Sequence, residues 1–132
     1  MASKLNPRMS QAAADLGLPD LGDHQDWGIE FADPERLPEF VAYYRAHQAA
    51  FDEWAQEYYL GELLMESAND ALLEVSQPRF LVEDAVSLIA GRREHEATRF
   101  LINYWIKLDR SGLVEGKTEF PIAVLLRQAL GM

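Results

Sequence analysis

Cysteine is absent from the 132 residues, which excludes disulfides, thiolate metal sites and a cysteine nucleophile. A reducing cytoplasm is the expected setting. Long apolar runs are also missing. Stretches such as 122–126 are far too short to span a bilayer, and the first eleven residues hold none that could serve as a signal peptide. A soluble, cytoplasmic chain with no membrane partner is therefore expected.

Basic residues are scarce, with 12 Lys and Arg against 22 Asp and Glu and a formal net charge of −10. The imbalance is local. Residues 1–78 carry fifteen acids and four bases, whereas residues 79–132 carry seven and eight. Between Arg45 and Arg79 there is no lysine or arginine. Such a field repels nucleic acid and draws in basic partners.

Motifs of catalysis are missing as well. His24, His47 and His95 are scattered, so neither the His-Glu-x-x-His of zinc proteases nor the Glu-x-x-His of di-iron bundles occurs. No serine lies in a Gly-x-Ser-x-Gly setting. Gly116-Lys117-Thr118 lacks the upstream glycine that a phosphate-binding loop requires.

What remains is a globular composition, 48% apolar, rich enough to offset the entropy of ordering one domain of this length. The periodicity predicts an all-α, compact bundle of about five helices. Residues 1–26 read as a flexible, loosely structured N-terminal segment, punctuated by Gly17, Pro19 and Gly22, in which a short helix over 10–16 would fit. Residues 27–132 read as a single helical domain. Within it, Trp27-Gly-Ile-Glu-Phe31 alternates in the manner of a brief extended segment. Asp33-Pro34-Glu35 is a helix start, and helices are expected over about 38–49, 51–75, 79–90, 92–108 and 121–130. A turn is expected at 109–112 and a loop at 113–120.

The helix at 51–75 is apolar over most of its circumference, with Trp54, Tyr58, Gly61, Met65, Ala68, Leu72 and Val75 forming one seam. It reads as the spine of the bundle. Its apolar surplus also permits a homodimer. A narrow polar strip containing Asp52, Glu62, Glu66, Asn69 and Asp70 is expected to face solvent, with Tyr59 beside it.

Two functions follow from that strip. In the first, the chain is a small acidic protein-binding domain of the inhibitor or immunity type, neutralising a basic partner such as a toxin nuclease. Asp52, Tyr59, Glu62, Glu66 and Asp70 would form its binding face, with tyrosine as anchor and carboxylates as steering charges. In the second, the i, i+4, i+8 carboxylates Glu62, Glu66 and Asp70 hold Mg²⁺ or Mn²⁺ for hydrolysis of a nucleotide or other phosphate. The Glu-x-x-Glu spacing of all-helical nucleotide pyrophosphatases is absent, and the enzyme reading is the weaker one.

Overall fold

The computed structural model describes residues 6–22, 24–112 and 120–132, without the side chains of 109–112. The loop expected at 113–120 lies, up to residue 119, outside the described residues. The all-α expectation is correct. The elements are α1 (Pro7–Asp15), α2 (Trp27–Glu30), α3 (Leu37–His47), α4 (Trp54–Glu74), α5 (Arg79–Ala90), α6 (Glu96–Gly112) and α7 (Pro121–Ala129). Short 3-10 turns at Pro34–Arg36 and Gln48–Ala50 flank α3. Seven α-helices stand where five were expected, and there is no strand among the described residues.

The two additional helices come from the N-terminal quarter. Residues 7–15, within the segment expected to be loose, form α1 and place Met9, Ala12 and Ala13 in the core. Pro7 starts this helix, and a Schellman motif ends it: Gly17 adopts φ +67 while Leu18 N donates to Ala13 O at 2.8 Å. Residues 27–30 are helical rather than extended. An isolated extended segment would leave its backbone groups unpaired, whereas the turn of α2 buries Trp27 and sends its Nε1 to Pro19 O at 2.7 Å.

The central helix α4 spans 21 residues, roughly 31 Å. It packs against α1, α2, α3, α5, α6 and α7. Leu60, Leu63, Leu64, Met65, Ala68 and Ala71 fill its buried surface, each leucine stabilising by about 1.5–3 kcal/mol through removal from water. Contacts between Glu57 and Thr98 and between Gly61 and Leu101 advance together, so α4 and α6 run parallel. Gly61 permits their close approach, because a Cβ there would lie 2.8 Å from Leu101 Cδ2.

Boundaries differ from expectation at α6. It begins at Glu96 rather than Arg92 and continues through residues 109–112, expected to be a turn. Arg92 is turned inward instead, with Nη1 donating to Gln48 O at 3.0 Å. No proline lies between residues 96 and 112 to stop the helical ladder.

Candidate functional site

Several polar side chains on and just before α4 face other elements rather than solvent. Glu53 accepts hydrogen bonds from Arg8 N (3.1 Å) and Met9 N (2.9 Å) in the first turn of α1. Glu62 Oε1 accepts from Gly28 N of α2 at 2.9 Å. Ser67 Oγ accepts from Asp33 N at 3.0 Å, and Asn69 Oδ1 accepts from Ile122 N of α7 at 3.1 Å. The first-turn amides of α1, α2 and α7 have no partners within their own helices, and carboxylates there also complement the helix dipole. The spine therefore caps its neighbours in trans.

This corrects the expectation of a solvent-facing strip. Glu62 is only 4% exposed. Its second oxygen accepts the Tyr58 hydroxyl at 3.2 Å. Burial raises its pKa against those hydrogen bonds. Asn69 is buried too. Asp52 is exposed and pairs with Arg8 Nε at 3.4 Å, far along the chain from Asp70 and beside α1. Of the five residues expected to form one face, Glu62 is turned inward and Asp52 is drawn to α1, while Tyr59, Glu66 and Asp70 are partly exposed along α4. Nor do Glu62, Glu66 and Asp70 form a metal cluster: among the described residues, no three acidic or histidine side chains are placed to hold an ion.

A different face does assemble, where α4 and α6 meet. Trp54, expected inside, is 45% exposed and stacks on Tyr58 with ring centroids 4.9 Å apart. Phe100 of α6 is 59% exposed and lies edge-on to both, at 5.9 and 5.8 Å. Tyr59 meets Tyr58 edge-on at 5.0 Å. Tyr104 is exposed one turn beyond Phe100. An open groove of about 250 Å³ lies between Phe100, Asn103, Tyr104 and Lys107.

Carboxylates border these rings. Glu66, Glu62 and Asp26 each raise the Tyr104 pKa, after burial. Glu66 is the decisive group. It is half-buried, and no hydrogen bond or ion pair reaches it from any described residue. Burial, then the charges of Asp70 and Glu62, lift its pKa to about 7. Asp70 is raised in the same direction by burial and Glu74.

The contrast is Glu57 on the same helix. It is buried with Arg92, whose Nη2 and Nε reach it at 2.9 and 3.2 Å, and it also accepts the Thr98 hydroxyl. Burial would raise its pKa, but these donors hold it below the ordinary value. Glu57 belongs to the framework, while Glu66 has an unmet need for a donor.

Sequence periodicity misses Trp54, Phe100 and Tyr104 as surface residues. Phe100 carries a usable signal, since it falls outside the row Ala97, Leu101 and Trp105 that α6 buries. Trp54 and Tyr104 carry none, because their spacing matches the core face. The chain matches no protein-family model, no curated protein and no solved structure.

Proposed function

We propose that this chain is a small acidic protein-binding domain that docks a basic protein on the face formed by Trp54, Tyr58, Tyr59, Glu66, Phe100 and Tyr104. In this reading it is an inhibitor of the immunity type, occupying a cationic groove that would otherwise hold phosphate, as in a toxin nuclease. Asp70 and Asp26 add steering charge, and Glu62 holds α2 and Tyr58 in place from beneath.

The observation that carries the reading is Glu66, a half-buried carboxylate without a described donor whose charge acts on the exposed Tyr104 at one end of the aromatic row. Folding gains nothing from leaving such a group among other acids. A docked cation would satisfy it, and the rings supply the apolar anchor area typical of interface centres.

The test compares immobilised wild type, E66K, F100A and the charge-matched E83K, whose site on α5 is exposed and outside this face. One basic protein should be retained from native extract at low salt and released at high salt. Wild type and E83K should hold it, while E66K and F100A lose it. Equal retention by all four would remove this face from the reading.

A further inference from the structure

The chain twice solves the problem that Glu66 leaves open. Arg36 lies over the Phe40 ring at 5.0 Å and sends Nε and Nη2 to the two oxygens of Glu39, at 2.9 and 2.6 Å. Arg92 lies over the Phe51 ring at 5.1 Å and sends Nε and Nη2 to the two oxygens of Glu57. One arrangement is at the surface and the other is buried. In each, a planar guanidinium covers a ring face and fills a carboxylate through its two-pronged edge, a combination that the rounded ammonium of lysine cannot reproduce.

At the junction of α4 and α6 two of the three parts recur. Trp54, Phe100 and Tyr104 offer exposed rings, and Glu66 offers a carboxylate: it lies one turn beyond Glu62, which accepts the Tyr58 hydroxyl, just as Tyr104 lies one turn beyond Phe100, whose ring meets Tyr58 on the parallel helix. No described arginine completes the set. Resting on the protein-binding reading above, we infer that the partner supplies it: an arginine side chain of the basic protein stacks on this aromatic row and pairs with Glu66, and the site selects arginine over lysine. Glu62 is not the acceptor, because it is only 4% exposed and is held inward by Gly28 N and the Tyr58 hydroxyl. The other acids near the row, Asp26 and Asp70, attract either cation and so add affinity without discrimination.

The test is a titration of the full chain with fluorescein-labelled hexa-arginine and hexa-lysine peptides of equal charge, at low salt and pH 8. Hexa-arginine should bind about five- to tenfold more tightly, the difference expected of one stacked and forked contact. F100A and Y104A should bring the ratio close to one while leaving hexa-lysine affinity almost unchanged. Both substitutions are at exposed positions, and circular dichroism checks that the fold is retained. E66Q should weaken both peptides and arginine more. Equal affinity of the two peptides for the wild type would overturn the selection of arginine and leave the acidic docking face standing. Failure of both peptides to bind would overturn both readings.

Discussion

Arg92 lies with its guanidinium against Glu57 at 2.9 Å, both side chains about nine-tenths buried, and ties the turn before α6 to the spine of the bundle. Removing one member of such a pair leaves an unpaired charge inside the protein, which costs about 3–5 kcal/mol. R92M should therefore lower stability by that amount in urea denaturation. E57Q should cost less, because a neutral amide leaves only the arginine unpaired at a site where Gln48 O still accepts from it. The Glu57 pKa lies below its ordinary value in the folded chain, so its contribution is present above the unfolded-state value and is lost as pH falls. The gap between wild type and E57Q should close on acidification. A gap that stays constant below pH 4 would contradict this account.

Gly28 and Glu62 are fitted to one another. A Cβ at residue 28 would stand 2.6 Å from Glu62 Cγ, and both partners are on helix backbones that cannot easily retreat. G28A should destabilise by about 1–3 kcal/mol, the ordinary cost of overpacking. In an E62G background all three clashing atoms, Glu62 Cβ, Cγ and Oε1, are gone, so the penalty for G28A should shrink by about 1 kcal/mol or more in a double-mutant cycle. Strict additivity would mean that the two residues do not constrain each other.

Val75 ends α4 at φ 52 and ψ 40 with its side chain 86% exposed. A β-branched residue is disfavoured in that left-handed conformation, where glycine or asparagine is usual. V75G should raise stability by about 1 kcal/mol, read as a higher urea midpoint at unchanged slope. A lower midpoint would show that the valine makes a compensating contact.

Trp54 offers a direct probe of the face. Trp27 and Trp105 are fully buried, leaving Trp54 as the tryptophan open to solvent. Relative to their quenching of free N-acetyltryptophanamide, caesium should be favoured over iodide if the acidic surface governs access to Trp54, and W54F should abolish most of both effects. Preferential quenching by iodide would refute a negative field at this position.

Much of this architecture is legible in residue spacing, and the exceptions share a cause. The spine, α5 and α7 follow from apolar periodicity that tertiary packing reinforces. α5 begins at Arg79 and ends at Ala90, as its pattern predicts. The polar strip differs from expectation because periodicity locates a face but does not identify what covers it. Glu62 and Asn69 face inward because α2 and α7 present free amides to them. α2 itself is hidden for a related reason. Gly28 interrupts an apolar pattern, yet its missing side chain is what admits the backbone onto α4. Trp54 lies outside because it is the first residue of α4 and its ring packs on Tyr58 and on Phe100, itself an exposed residue, rather than into the core.

Glu66 brings stability and function into opposition, and pH separates them. Its pKa of about 7 in the folded chain lies above the ordinary carboxylate value of 4.5. Between those values the folded protein keeps a proton that the unfolded chain releases, so this group costs stability as pH rises through the window. Below it, both states are protonated and the cost vanishes. E66Q should therefore melt at the wild-type temperature near pH 4.5 and higher by about 3 °C at pH 8. Binding should move the other way, because only the ionised carboxylate pairs with a cation. Wild-type affinity for hexa-arginine should fall between pH 8 and pH 6, while the weaker affinity of E66Q changes little. Asp70, Glu62 and Asp26 face the same region and Lys107 lines the groove beside Tyr104, but all four are unchanged in E66Q, so the difference between the two proteins isolates Glu66. A variant more stable than wild type but poorer at binding is what a docking carboxylate requires. An E66Q protein that binds equally well would assign Glu66 no part in recognition.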